Sequence, residues 1–240
     1  MMEQPLHFLF RLLFPDSTLI EFPLLVDQFS TTLIPQLEPS PQIWTALDYQ
    51  QCGNCPLNKL DFPHCPVAIN LVPLIDLCSS VASYQNVQLE VVTAERTVSG
   101  SASMQRVMST ILGLIMATSS CPHTEFLKPM AHFHLPLASE HETIYRTTSM
   151  YLLAQYFRRI DGLDFSLELD RLTAMYQNLQ VVNKALSKRL RAAASEDATI
   201  NALILLNLLS QAMTWSIEDG LEEIRHLFKS YGVNPVVKSG

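Results

Sequence analysis

Glycine is scarce in this chain of 240 residues, and that scarcity excludes two kinds of nucleotide site. The seven glycines form neither a G-x-G-x-x-G nor a G-x-x-x-x-G-K-[ST] pattern, and phosphate-holding loops depend on those glycines. The motifs G-x-S-x-G and H-E-x-x-H are missing as well, which removes the sequence signals of two hydrolase classes. Rossmann-type dinucleotide binding and P-loop nucleotide hydrolysis are therefore disfavoured.

Charge is also sparse, and its balance argues against nucleic acid as a partner. Only 16% of the residues are charged, the net charge is −7 and the pI is about 5.4. Proteins that bind DNA or RNA need a positive surface for the phosphates. With 48% hydrophobic residues, the chain is long and apolar enough to bury a full core without help from a metal.

The apolar runs of the sequence are too short to predict a membrane-spanning helix. The apolar start from Leu6 to Phe14 is preceded by Glu3, is interrupted by Arg11 and ends at Pro15, so it does not complete the apolar core of an export signal. The best internal run extends from Val107 to Thr118, which is too short to cross a bilayer. We expect a cytoplasmic protein that does not bind a membrane.

Cysteine is present in an odd number, five. A disulfide framework belongs to secreted proteins with paired cysteines, so we expect reduced thiols or metal ligands. Cys78 lies within an apolar helical stretch, and we interpret it as a core thiol rather than a ligand.

The other four cysteines form the most informative pattern. Cys52 and Cys55 make a Cys-x-x-Cys pair, while Cys65 and Cys121 stand apart. Such a pair places two sulfurs on one side of a tight loop, where they can share a metal with more distant ligands. One pair completed by remote cysteines that precede proline is more typical of iron–sulfur clusters than of structural zinc, which usually has two close pairs. We predict one metal centre at these four residues, with an iron–sulfur cluster first, zinc as the alternative, and metal-free buried thiols as the third interpretation.

Two of the cysteines are expected to begin helices. Cys65 precedes Pro66 and Cys121 precedes Pro122, an arrangement typical of an N-cap residue followed by the first helical position. A sulfur at a positive helix end should have a pKa lowered toward the thiolate form.

Histidines supply alternative ligands. His132 and His134 would share one face of an extended segment and could form a metal pair, although capping a helix or bonding a buried carbonyl is the more ordinary role. His64 is expected to be solvated or to lie behind the ligands, and His123 could hydrogen-bond near the sulfur of Cys121. An enzyme version also exists, in which Cys121 is a nucleophile activated by His132 or His134.

The arrangement of apolar residues predicts an α+β fold, with a small antiparallel sheet at the N-terminal side packed on a mostly helical C-terminal bundle. Residues 7–14 and 18–26 alternate like the strands of a hairpin, with Pro23 at an edge or a bulge. A second hairpin is predicted at 87–93 and 97–99, giving perhaps four strands. We expect residues 1–240 to form a single domain, with the hairpins and cysteine loop in residues 1–100 and the bundle in residues 101–240.

Five helices are expected after residue 101. The first runs from Ser101 or Ser103 to Thr118, and the second starts at a capping box that begins at Ser139. The others span about 167–194, 198–215 and 216–232, the last of them ending at Gly232.

Several strings of the sequence resemble an uncharacterised family of bacterial proteins known as a domain of unknown function. They are Gln51-Cys52-Gly53-Asn54-Cys55-Pro56-Leu57, His64-Cys65-Pro66-Val67-Ala68, Ser120-Cys121-Pro122, His134-Leu135-Pro136 and Tyr151-Leu152-Leu153-Ala154-Gln155-Tyr156. The resemblance extends over nearly the whole chain and implies a bacterial cytoplasmic protein with a single domain. It implies no activity, cofactor or partner.

The sequence therefore predicts a redox-responsive or regulatory protein with an iron–sulfur cluster at its four-cysteine site. In the alternative, structural zinc clips the cysteine loop to the chain after Cys121, and the bundle surface faces a partner or a second copy of the chain in a homodimer. The third interpretation is the thiol-dependent enzyme that uses Cys121.

Overall fold

A computed structural model of the chain describes residues 4–36, 40–77, 82–193 and 198–233. These residues form a five-stranded antiparallel sheet at the N-terminal side and a mostly helical region after it. The strands are β1 (Leu6–Leu13), β2 (Leu19–Val26), β3 (Leu33–Ile34), β4 (Asn86–Val92) and β5 (Thr97–Ser103). The predicted α+β class is confirmed, and the sheet order is β3-β2-β1-β4-β5.

Alternation of apolar side chains gives the sheet one buried face. Phe8, Phe10 and Leu12 of β1 are buried, because successive strand residues point to opposite faces. On the other face Arg11 pairs with Glu21 of β2 at 2.8 Å and with Glu90 of β4 at 3.0 Å. The two predicted hairpins join in one sheet because β1 pairs with both β2 and β4.

Pro23 lies at an open edge of the sheet, as predicted. It faces Leu9 of β1 on one side, while β3 pairs only with Leu25 and Val26 on the other. A proline has no N–H to donate to a ladder, so among the described residues no strand pairs with it on that second side. The fifth strand, β3, was not predicted, since a two-residue strand carries no alternation to recognise.

The helices are α1 (Pro66–Leu77), α2 (Met104–Thr118), α3 (Lys128–His132), α4 (Glu140–Ile160), α5 (Asp170–Ala193), α6 (Ala198–Glu218) and α7 (Glu222–Arg225). Strand β5 continues to Ser103, so the helical part starts slightly later than Ser101. The capping box at the start of α4 is confirmed: Ser139 Oγ accepts the Glu142 N–H at 3.2 Å, and Glu142 Oε2 accepts the Ser139 N–H at 2.7 Å.

The predicted last helix at 216–232 is wrong. Helix α6 continues through Ser216 to Glu218, and the chain then turns at Gly220 and Leu221, whose φ angles are 71° and 59°. A left-handed pair of residues ends a helix. The chain continues as α7, one turn long, and then as a 3-10 segment that ends at Gly232.

Helix α6 contains a longer apolar stretch than the run from Val107 to Thr118, so the prediction that no apolar segment is long enough to span a membrane is corrected. Its stretch Ile200–Glu218 has a mean hydropathy of 1.4 and is, by length and composition, able to cross a membrane. About a quarter of that stretch, 28%, is buried inside the protein. Leu203 and Met213 belong to the hydrophobic core, whereas Ile204, Leu208 and Trp215 are exposed.

One hydrophobic cluster links the sheet to the helices. Its largest fully buried apolar side chains come from β1, β4, α1 and α2: Phe10, Leu12, Leu71, Leu74, Leu89, Met104, Met108, Ile111, Leu112 and Leu114. The cluster also contains Cys121 at its border, with Cys52 and Cys65 packed against it. The cysteines therefore lie where the core meets the loops.

Candidate metal centre

The four cysteines of the predicted site meet at one small cavity. Cys52, Cys55, Cys65 and Cys121 all line it, and the space admits a water-sized sphere and measures about 20 Å³. Its other walls are Leu47, Leu57, Pro66, Val67, His123, Val182, Leu186 and Arg189. All four cysteines are free thiols. The fold thus brings together residues from three separate segments of the chain.

A tight turn presents the first two thiols. The Cys55 N–H donates to the Cys52 carbonyl at 3.0 Å, which closes the Cys-x-x-Cys turn. Gln51 Nε2 donates to the Leu57 carbonyl at 3.1 Å and holds the ends of this loop together. Both sulfurs consequently reach the same side of the loop, as the spacing predicts.

Cys65 sits at the start of a helix, as predicted. Helix α1 begins at Pro66, and the Ile69 N–H donates to the Cys65 carbonyl at 3.0 Å. The Cys65 N–H donates to the Thr45 carbonyl at 2.8 Å. This bond fixes the third thiol against the segment that precedes the cysteine loop.

Cys121 does not begin a helix, so that prediction is wrong. Its carbonyl accepts two amides, from Thr124 at 2.9 Å and Glu125 at 3.1 Å, and the next regular element is a 3-10 turn that starts only at Glu125. Thr124 Oγ1 donates back to the Met116 carbonyl at 2.6 Å. Because this side-chain bond folds the segment onto the end of α2, the residues after Pro122 form turns instead of a helix.

His123 connects the turn of Cys121 to the cysteine loop. Its Nε2 lies 2.6 Å from the Asn54 carbonyl oxygen. Asn54 in turn donates from Nδ2 to Asn178 Oδ1 of α5 at 2.9 Å. The two bonds join the loop, the turn and the long helix, and they explain how a thiol so distant in sequence reaches the other three.

Arg189 is the component of the site that sequence reasoning missed. It is only 1% exposed, and it donates to the carbonyls of Trp44 at 2.8 Å, Ala46 at 2.6 Å and Leu47 at 2.8 Å. No carboxylate lies within ion-pair distance of it among the described residues. A signal existed in the sequence, because Arg189 continues the apolar stripe of Val182 and Leu186 on α5, where an exposed arginine would not be expected.

Burial dominates the electrostatics of the thiols. Removal from water raises the pKa of Cys52 to about 12, and the charges of the other three thiols act in the same direction. Burial also raises the pKa of Cys121, although N–H and O–H groups of His123 and Thr124 oppose the shift. The expected lowering of the pKa of Cys121 is therefore wrong, since that sulfur does not lie at a helix end and is removed from water.

The thiols are not packed closely enough around a common point to hold an ion as they stand. In the part of the chain that the structure describes, no three or more His, Cys, Asp or Glu side chains form a group that could hold a metal ion. The chemistry of the donor set nevertheless suits a metal, because four thiols are a complete ligand set for zinc or for an iron–sulfur cluster.

The remaining predicted residues lie away from this cavity or outside the described residues. Cys78 is in the second group. His64 Nδ1 lies 3.0 Å from Thr45 Oγ1, and the residue is half-buried. His132 ends α3, and its ring contacts Phe133, while the ring of His134 contacts Phe8 and Phe10 of the sheet. The two histidines do not form a pair on an extended segment.

Cys121 lacks the surroundings of an activated nucleophile. It is 9% exposed, and neither His132 nor His134 lines its cavity. Reactive thiols are partly exposed and have a lowered pKa, whereas burial raises the pKa of Cys121.

We expect His134 to remain uncharged throughout the neutral range. Its Nε2 atom is buried, and removal from water together with the charge of Arg146 lowers its pKa to about 3 from 6.5. In the unfolded chain it takes up a proton near its ordinary pKa, so its contribution to stability is complete above that pKa and is lost as the pH falls toward about 3.

The measurement is a histidine-detected NMR titration together with unfolding curves across the same range. His134→Gln should flatten part of the acid dependence of stability. A His134 ring that takes up its proton near its ordinary pKa of 6.5 would contradict the expectation.

Comparison with known proteins places the chain in a family. It belongs to the family described as Domain of unknown function (DUF6901), whose model matches residues 8–229. The suggested resemblance to a domain of unknown function is thus confirmed. No curated protein and no solved structure matches the chain significantly.

Proposed function

We propose that this protein binds an iron–sulfur cluster through Cys52, Cys55, Cys65 and Cys121 and serves as a redox-responsive or regulatory module. The observation that carries the proposal is the shared cavity, which has four free thiols in its wall. Thiols from three segments meet where the core borders the loops, and four reduced thiols without a metal would gain little from being together.

The spacing of the cysteines along the chain favours a cluster over a single zinc ion. One Cys-x-x-Cys pair completed by single cysteines that precede proline is more typical of clusters, whereas structural zinc usually has two close pairs. The cavity between the thiols measures only about 20 Å³, so the cysteine loop would move outward when a cluster binds.

The surroundings suit a buried cluster in charge and in hydrogen bonding. Four thiolates make the bound centre negative, and Arg189, whose side chain borders the cavity, has a positive charge that favours the thiolate form of Cys52. The backbone N–H of His123 favours the thiolate form of Cys121. Positive charge and hydrogen bonds to the sulfurs are among the factors that set the reduction potential of a cluster.

The bound cluster would supply one-electron chemistry. The residues around it would convert a change at the cluster into a change in the position of the loops that hold it. The loop with Cys52 and Cys55 is tied to α5 through Asn54, and the turn with Cys121 is tied to that loop through His123. Loss or oxidation of the cluster would remove the link among these segments. Such a change in loop position is the kind of output that a regulatory protein passes to a partner.

Structural zinc is the second candidate, and the closed character of the site favours it. All four positions around the cavity are protein thiols, and structural zinc sites leave no open position. In this version the metal clips the cysteine loop to the segment after α2 and has no redox role.

Metal analysis of protein purified without oxygen separates the candidates. We expect iron and acid-labile sulfide in equal amounts, a brown colour, and broad visible absorbance that bleaches in air. A colourless protein with one equivalent of zinc would replace the cluster by the second candidate. Protein that contains neither metal, and that takes up neither on anaerobic reconstitution, would overturn both.

A further inference from the structure

A second and much larger cavity lies between the helices, separate from the thiols. It measures about 490 Å³ and is bordered by α2, by the segment from Leu127 to Thr143, and by α5 and α6. Sites for small molecules typically measure about 300–1,000 Å³ and are mostly apolar, with a few polar groups that orient the ligand. Neither the four cysteines nor Arg189 borders this cavity.

Most of its wall is apolar. Leucine, methionine and alanine side chains from all sides of the cavity contribute: Leu114, Met116, Ala117, Leu127, Met130, Leu179, Leu205, Leu206 and Leu209. Such a wall excludes sugars, free nucleotides and other strongly hydrated molecules from most of the space, because their polar groups would lose hydrogen bonds to water.

Two arginines stand in the wall without an acidic partner. Arg106 donates to the Leu137 carbonyl at 3.1 Å, and Arg146 donates to the carbonyls of Met130 at 3.1 Å and Phe133 at 2.6 Å. Neither has a carboxylate within ion-pair distance among the residues that the structure covers. A guanidinium has five N–H donors, so both retain donors for a ligand.

Two acids lie near these arginines, but neither forms an ion pair with them among the described residues. Glu140 borders the cavity and is exposed to solvent. The carboxylate of Glu142 accepts the Ser139 N–H at 2.7 Å, and this bond and, less strongly, the charges of Arg146 and Arg106 lower its pKa. Because these carboxylates offset part of the positive charge, the wall suits a ligand with a single negative charge better than a doubly charged phosphate.

We propose that this cavity binds a monocarboxylic acid with a long apolar tail, of the medium-chain fatty acid class. The carboxylate pairs with Arg106 and Arg146 near the exposed side, since the planar fork of arginine matches a carboxylate. The tail lies along the leucine and methionine wall toward α5 and α6.

Titration calorimetry with sodium decanoate tests the proposal on the full-length protein, and decanol is the matched ligand that lacks the charge. We expect decanoate to bind at one site per chain and decanol to bind about tenfold to a hundredfold more weakly, because hydrogen bonds to a charged group are worth about 1.5–3 kcal/mol. Acetate, which has the charge without the tail, should not bind measurably.

Two variants address the head and the tail separately. Arg106→Gln should weaken decanoate binding about tenfold and leave decanol unchanged, while the exposed Arg96→Gln, away from the cavity, should change neither. Ala117→Phe should fill part of the cavity and weaken both ligands. Circular dichroism and the thermal unfolding midpoint establish that each variant is folded.

Each result tests a different part of the proposal. Equal affinity for decanoate and decanol, or an unchanged affinity in Arg106→Gln, would overturn the assignment of the charged head. Binding that survives Ala117→Phe would place the ligand elsewhere, and absence of binding by decanoate at millimolar concentration would overturn the proposal. Because metal content is not part of the readout, these results stand apart from the test of the thiol site.

Discussion

Cys65→Ser is expected to remove the metal from the protein, whereas Cys78→Ser should retain the full amount. Cys65 lines the thiol cavity, and its backbone is held on two sides, by the Thr45 carbonyl and by the start of α1. A serine hydroxyl does not deprotonate near neutral pH and is a poor ligand for iron or zinc. Iron, zinc and sulfide are measured in both variants after identical anaerobic purification.

Cys78 is the natural control because it is the one cysteine that the sequence assigns to the core. Its position is outside the described residues, so the contrast rests on the sequence pattern alone. Equal metal content in the two variants would remove Cys65 from the ligand set. Serine variants of Cys52, Cys55 and Cys121 are compared with Cys78→Ser in the same way. A variant that retains its metal would remove that cysteine from the set of ligands.

Arg189→Met is expected to lower the free energy of unfolding by about 3–5 kcal/mol and to deplete the metal as well. The substitution keeps much of the volume but leaves the carbonyls of Trp44, Ala46 and Leu47 without their donor. A buried acceptor that loses its partner costs about 1–3 kcal/mol. Urea unfolding of the metal-free proteins measures the stability, and metal analysis measures the second effect.

Arg191→Met is the matched control, because Arg191 is exposed on the same helix. We expect it to change the unfolding free energy by less than about 0.5 kcal/mol. Arg189→Lys should recover only part of the loss, since an ammonium does not reproduce the flat fork of donors. If Arg189→Met and Arg191→Met unfold at the same urea concentration, the proposed role of Arg189 in holding the segment before the cysteines is wrong.

Local signals in the sequence predicted much of the sheet and several helix starts. The alternation in residues 7–14 and 18–26 indicated the first hairpin, and Pro23 marked an open edge because it lacks an N–H. Ser139 with Glu142 identified the start of α4 because both partners of a capping box are close in sequence. Each of these features depends on neighbours within a few residues.

Errors arose where a more distant contact overrode a local preference. Pro122 favours the first turn of a helix, yet Thr124 bonds back to Met116 and the segment forms turns. Ser216 resembles a cap, but it lies inside α6, and its hydroxyl bonds Glu223 beyond the turn at Gly220. Arg189 was missed because its partners lie more than a hundred residues earlier in the chain.

The sequence by itself identified four thiols as a candidate metal site, since their spacing is visible without any structure, and it determined the α+β class through periodicity. Only the tertiary structure decided that Cys121 joins the other three thiols, that a buried arginine lies among them, and that a second cavity contains Arg106 and Arg146. The physical reason is the distance along the chain over which each kind of interaction acts. Periodicity and capping act over one or two turns of chain, whereas a cavity is made by packing elements that are distant in sequence, and its contents depend on the whole core.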